Sequence, residues 1–207
     1  MRYQSPGARD VLTNATTDGL VTRMAVWVSA RNRATGLPAE VGVWDGDEDL
    51  GLTVISGATG ATVTRAYYGG GALLKVSDIP RVSDFTVQTV TIDLSQIADA
   101  ALAITREYDL HLAGVEVHEI LLSPATGQPV GADLPVFVGI VDGAPVRTPR
   151  VGGEGSAVLK CVSEVMALLT RTNPEKASYE AQKLRDGDEW NLYAGVVETW
   201  EIPWGTK

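Results

Sequence analysis

Short runs of apolar and polar residues, each about the length of a β-strand, fill most of the chain. Thr62 to Tyr68 sets Val63, Arg65 and Tyr67 against Thr62, Thr64 and Ala66. Phe85 to Leu94 alternates Phe85, Val87, Thr89, Thr91 and Asp93 with Thr86, Gln88, Val90, Ile92 and Leu94. Leu110 to Leu122 does the same around Gly114. Val21 to Ala30, Glu40 to Trp44, Leu50 to Ile55, Ala72 to Val76, Leu134 to Val141 and Val146 to Val151 are further strands. Ser156 to Leu169 starts as a strand and ends helical. Between them lie turns: Asn32 to Pro38, Asp45-Gly46-Asp47, Ser56 to Ala61, Gly69-Gly70-Gly71, Ser123 to Gly131 and Asp142 to Pro145. Short strands at near-regular spacing predict a barrel or a sandwich.

The period changes in three places. Ser95 to Tyr108 carries Ile97, Ala101, Leu102, Ile104 and Tyr108 as an apolar stripe with Ser95 as N-cap, and predicts a helix. The first 20 residues are polar. Ser5 and Pro6 read as N-cap and first position of a short helix or arm outside the core. In the tail, Ala177 to Leu184 predicts a short helix, and Asp188 caps a second over Glu189 to Val197. The expected organisation is an arm over 1–20, a first β section over 21–94, the helix over 95–108, and a second β section with its tail over 109–207. The fold class is mainly β, with some α.

Composition narrows the function classes. The chain has 207 residues, 17 Lys+Arg and 26 Asp+Glu, a formal charge of −9. That balance argues against a general grip on nucleic acid, which rests on Lys and Arg at phosphates. No window approaches the ~18 uninterrupted apolar residues of a membrane span. The N-terminus shows no apolar run of signal-peptide length, so export by the usual route is not expected. One cysteine makes neither a disulfide framework nor a thiolate metal cluster, and fits a reducing compartment.

The candidate chemistry reads as structural. Asp45, Asp47 and Asp49 alternate as in a calcium loop, but Leu50 and Ser56 stand where such a loop needs Gly and Glu. They are expected to be a solvated acidic turn. His111 and His118 lie seven apart on one strand, facing opposite sides, and no G-x-S-x-G accompanies them. Cys161, in the run Val158 to Val165, reads as a small buried hydrophobe. The glycines at 69–71 and 152–155 lack the Lys-Ser/Thr of a phosphate loop and read as bulges or close backbone approaches. No pair among the 26 acids stands out as a glycosidase acid and base. No catalytic, cofactor-binding or metal-ligating residue is expected, and no cofactor.

The most distinctive segment is Asn173 to Gly205. Tyr179, Leu184, Trp190, Tyr193, Val197, Trp200 and Trp204 give it large apolar side chains at irregular spacing, as in a strap that clasps its own barrel or docks on a neighbour. It carries Arg171 just before it, then Ser178-Tyr179, Gln182, Gly187-Asp188, Trp190, Tyr193 and Ile202-Pro203-Trp204-Gly205. Upstream stand Trp44-Asp45-Gly46, Tyr67-Tyr68-Gly69-Gly70-Gly71 and Val136-Phe137-Val138-Gly139-Ile140-Val141-Asp142. In this order, over about Val21 to Gly205, the pieces resemble the tail hub proteins of long-tailed phages, prophages and gene transfer agents.

The resemblance implies one or two hub-like β-barrels joined by a helix. It implies a virion protein of the tail tip, made in the host cytoplasm, that self-associates as a ring, a trimer before a hexamer. The ring would close the tail tube and join the distal tail protein to the central fibre or spike, beside the tape measure protein, with DNA passing through. Some hubs hold an iron–sulfur cluster on several cysteines; Cys161 alone does not support one. An acidic lumen would repel passing DNA. The alternatives are a distal tail or other tail-tube-like ring, and, from other classes, a tail-associated cell-wall hydrolase or a carbohydrate-binding module.

Overall fold

A computed structural model gives the structure, which describes residues 5–82, 86–131, 134–148, 150, 155–170, 178–201 and 205. Its strands are β1 (Val21–Asn32), β2 (Pro38–Trp44), β3 (Leu50–Ile55), β4 (Thr62–Tyr68), β5 (Leu73–Val76), β6 (Thr89–Leu94), β7 (Tyr108–Leu122), β8 (Pro135–Gly143), β9 (Val146–Arg147) and β10 (Ser156–Ser163). They form one sheet in the order β3-β4-β2-β1-β7-β8-β10-β6-β5, with β9 beside β10. Neighbours run antiparallel, except that β2 and β4 are parallel through Gly42↔Tyr67 and Val43↔Tyr68. The sheet curls into a half-barrel, and among the described residues strand outweighs helix 43% to 18%, so the fold is mainly β. Strands from both β sections of the sequence share this sheet, because β7 pairs with β1 and β10 with β6.

The middle of the sheet is covered on both faces. Ala25, Val26, Trp27 and Val28 are all buried on β1, as are Val115, Glu116, Val117 and His118 on β7. Such strands lose the clean apolar/polar alternation of a one-sided sheet. One face contributes Val26, Val28, Val43, Val115 and Val117 to a core with Phe137, Ile92, Leu94 and Leu159. The other contributes Ala25, Trp27, Ile120 and Leu122 to a second core with Trp44, Leu52, Val54 and Tyr67. The β3–β4 hairpin closes that second core by lying over β1 and β7.

The N-terminal helix forms where the sequence predicts it, whereas the helix over 95–108 is cut short. The N-terminal segment is the 13-residue helix α1 (Pro6–Asp18), with the Ser5 hydroxyl accepting from Ala8 N at 3.3 Å. Ser5 and Ala8 are buried. The helix expected over 95–108 is only α2 (Asp99–Leu102), followed by a π-helical turn over Ala103–Glu107. Ser95 caps the turn before it, accepting from Ile97 N and Ala98 N. Ile97 is 88% exposed, whereas Ala101 and Ile104 are fully buried. Two features widen this helix and end it early. The Thr105 hydroxyl donates back to the Ala101 and Leu102 carbonyls. Arg33, just past β1, donates to the Glu107 and Tyr108 carbonyls and draws that end into β7.

Other elements shorten. The strand expected from Phe85 begins at Thr89, where Gln88 N turns away to the Ser163 hydroxyl; Ser83 to Phe85 lie outside the described residues. The strand expected over Val146 to Val151 is two residues long. Ser156 to Leu169 runs as β10 and then α3 (Val165–Thr170), as its sequence predicts.

The chain divides into two compact units, Met1–Leu168 and Leu169–Lys207. The second holds α4 (Tyr179–Lys183). The expected helix over 189–197 is instead a run of tight turns, with Leu192, Ala194 and Val196 N–H groups each donating three residues back. A 3₁₀ turn follows at Val197–Thr199. Among the described residues, no helix is long and apolar enough to cross a membrane.

Candidate functional site

The densest polar chemistry lies under the β3–β4 hairpin. β7 places Glu116 opposite Trp27 of β1, and β4 places Arg65 above both. Arg65 Nη1 donates to Glu116 Oε2 at 2.7 Å, and Nη2 donates to the Ser56 hydroxyl at 3.1 Å. Ser56 Oγ donates to Glu116 Oε1 at 3.2 Å, and Ala58 N donates to the same oxygen at 3.3 Å. The guanidinium stacks 4.7 Å from the Trp27 ring, which tilts against Tyr67 at 5.6 Å. His118, wholly buried, donates from Nε2 to the Ile55 carbonyl at 3.1 Å, the tautomer that bond requires.

Burial opposes charge throughout this cluster. At Glu116 the hydrogen bonds from Arg65 and from the 57–58 backbone outweigh burial and hold the carboxyl below its usual range. At His118 burial wins over the Ile55 bond and the Glu116 charge, and the imidazole is held below its ordinary value. Burial pushes the Tyr67 hydroxyl up to about 12, although the Arg65 guanidinium beside it pulls the other way. Among the described residues, Trp27 Nε1 and His118 Nδ1 are buried without a hydrogen-bond partner. Each such group costs about 1–3 kcal/mol of stability.

Ser56, His118 and Glu116 therefore meet, but are not wired as a nucleophile and base. The Ser56 proton goes to Glu116, and Arg65 occupies the hydroxyl's acceptor side. The Nε2 nitrogen of His118 is spent on Ile55, 3.9 Å from Glu116 Oε2. The arrangement clasps the hairpin to β7. Sequence reading missed it. Its signal was two charged residues in strands otherwise bound for the core, Arg65 between Val63 and Tyr67, and Glu116 between Val115 and Val117.

The sequence-derived candidates sit elsewhere. His111 is exposed, next to Leu112, whose φ of 56° bulges β7 away from regular alternation. Cys161 is buried, and burial pushes its thiol up to about 12. Two of the three aspartates of the acidic turn, Asp45 and Asp49, bind separate backbone groups. Asp45 Oδ1 accepts from Met24 N at 2.9 Å and Asp49 Oδ1 from Gly69 N at 3.0 Å. The Asp47 carbonyl accepts from Gly70 N at 3.1 Å. Among the described residues no group of three or more His, Cys, Asp or Glu side chains is placed to hold a metal ion. Gly152 to Glu154 lie outside the described residues.

The segments that carry the resemblance are joints of the fold. Trp44 Nε1 donates to the Glu48 carbonyl at 2.7 Å, so its ring roofs the turn over Gly46. Gly69 packs into the same turn, where a Cβ would lie 2.5 Å from the Glu48 and Gly46 carbonyls. Two motifs about twenty residues apart thus interlock. On β8, Gly139 lets the backbone of β10 and the Phe137 ring approach together.

In the second unit, the Ser178 hydroxyl caps α4 by accepting from Ala181 N at 3.2 Å. Gln182 Nε2 donates to Asp188 Oδ2 at 2.8 Å, while Asp188 Oδ1 accepts from Trp190 N at 3.0 Å. These local bonds fix a turn that leaves Trp190 85% exposed, with Tyr193 and Trp200, 5.9 Å apart, also exposed. Arg171 and Ile202 to Trp204 lie outside the described residues. The chain matches no known family model, and no curated protein is similar to it.

Proposed function

We propose that the chain is a structural virion protein of a long-tailed phage tail tip, the hub ring that closes the tail tube. In this reading it links the distal tail ring to the central fibre or spike, and it works by assembly geometry, without turnover. The observation that carries the reading is the use made of the motif residues. Trp44, Gly46, Gly69, Phe137, Gly139, Ser178, Gln182 and Asp188 each sit in a turn, a cap or a close approach of the backbone.

Two further features support a subunit that assembles. Among the described residues, β3 and β5 are the edge strands of the half-barrel, the positions at which a further strand could pair. The 178–201 segment presents Leu184, Trp190, Tyr193 and Trp200 to solvent, side chains of the kind that anchor subunit interfaces. The clasp at Ser56, with its hydroxyl held between Arg65 and Glu116, speaks for a scaffold over a hydrolase.

Mass photometry of the purified chain tests the assembly. The reading expects particles of three times the 22.0 kDa chain. It also expects no release of soluble fragments from purified cell walls. Cell-wall hydrolysis at enzymatic rates would replace the reading with the hydrolase alternative.

A further inference from the structure

The β3–β4 hairpin is a strap with a narrow attachment. Among the described residues, it joins the sheet ladder through two residue pairs, Gly42↔Tyr67 and Val43↔Tyr68. Its base is held by the interlocked turn of Trp44, Glu48 and Gly69, followed by Gly70 and Gly71 with φ of 60° and 78°. Its tip reaches across β7 to β8, where Gly57 meets Val138 and Pro135. Between base and tip, the polar bonds to β7 all converge on Glu116 and His118.

We propose that this hairpin is an acid-released strap. Proton uptake at His118, and then at Glu116, lifts it from β7 and β8 while its base stays anchored. The geometry leaves the second imidazole proton nowhere to go. Nε2–H is engaged by the Ile55 carbonyl, and Nδ1 is buried with no acceptor among the described residues. Imidazolium would thus place an unsatisfied N–H beneath the hairpin turn.

The charged and titratable groups facing His118 are few. β7 supplies Glu116, 3.9 Å away, which favours the imidazolium. β4 supplies Arg65, which opposes it, and the neutral Tyr67 hydroxyl. The turn after β3 supplies the Ile55 carbonyl and Ser56. β1 supplies Ala25 and Trp27, and β8 supplies Pro135 and Val138, all uncharged. Arg65 already neutralises Glu116 through the 2.7 Å bond, so no free counter-charge awaits the imidazolium.

Both titrations act in one direction. Burial holds His118 below its ordinary 6.5, so the closed strap binds fewer protons than the open one and weakens as pH falls below about 6.5. Glu116 lies below its usual 4.5, and its contribution is lost as pH falls through and below that range. Opening would uncover Leu52, Val54, Trp44, Ile120 and Leu122, the second apolar core.

Hydrogen exchange followed by mass spectrometry on the full chain tests this, after correction for the intrinsic pH dependence of exchange. Between about pH 7 and about pH 5, protection over residues 50–68 falls by about tenfold or more, while β1 and β8 keep theirs. The variant His118→Gln flattens that change. Should this variant fail to fold, NMR of wild-type imidazole protons supplies the second readout, with His111→Gln assigning the two histidines. There the His118 resonance titrates in step with hairpin exchange, below the ordinary histidine value. Equal hairpin protection at both pH values, simultaneous loss over β1 and β8, or the wild-type pH response retained in His118→Gln would each overturn the proposal.

Discussion

Replacing Arg65 by methionine is the sharpest test of how the second core is held. The guanidinium gives Glu116 one short bond at 2.7 Å and one long bond at 3.4 Å, and gives Ser56 one at 3.1 Å. The two side chains are only 13% and 9% exposed. Breaking such a buried pair from one side costs about 3–5 kcal/mol. Two donors, Ser56 and Ala58, remain to the orphaned carboxylate and reduce that cost. Loss of the stacking on Trp27 adds about 1 kcal/mol. The expected destabilisation by Arg65→Met is therefore about 3 kcal/mol.

Glu116→Leu alone leaves Arg65 able to reach solvent along its aliphatic stem, and costs about 2 kcal/mol. The double variant removes the charge problem from both sides and costs less than the sum, by a coupling of about 2 kcal/mol. Urea unfolding followed by circular dichroism measures all three, with midpoint and slope taken together. A cost below about 0.5 kcal/mol for Arg65→Met, or strict additivity in the double variant, would refute the clasp.

Two other outcomes follow from the packing. Gly69→Ala forces a Cβ to within 2.5 Å of two backbone carbonyls, and thermal unfolding should show a loss of about 2 kcal/mol or more, whereas Gly60→Ala, with open space around it, should lose only about 1 kcal/mol for its positive φ. Cys161, buried with its thiol pushed up to about 12, should react with a disulfide reagent at about pH 8 only after denaturant is added; rapid reaction in the native chain would contradict its place in the first core.

Much of the sheet was legible because local pattern and strand burial share one period. Val63, Tyr67, Val90 and Ile92 mark strands by alternation, and those strands appear. Turns were equally plain, since Gly60 and Gly127 adopt the positive φ their loops require. What stayed hidden depends on contacts far apart in sequence. The 95–108 helix looked convincing because Ile97 fell on the stripe, yet nothing covers Ile97, and Arg33 takes the helix end into β7. The clasp joins Arg65 to Glu116 across 51 positions. No periodicity announces it, because it exists only where the hairpin folds back over β1 and β7. In the tail, the capping role expected of Asp188 is present, but the helix it was to start is replaced by turns held three residues at a time.

Electron microscopy of tailed particles assembled with a gold-labelled copy of this chain tests the proposed place at the tail tip. For the proposed hub, label is expected only at the distal end of the tail, where tube meets fibre or spike. Label on the head, along the tail shaft, or missing from intact tailed particles would contradict it.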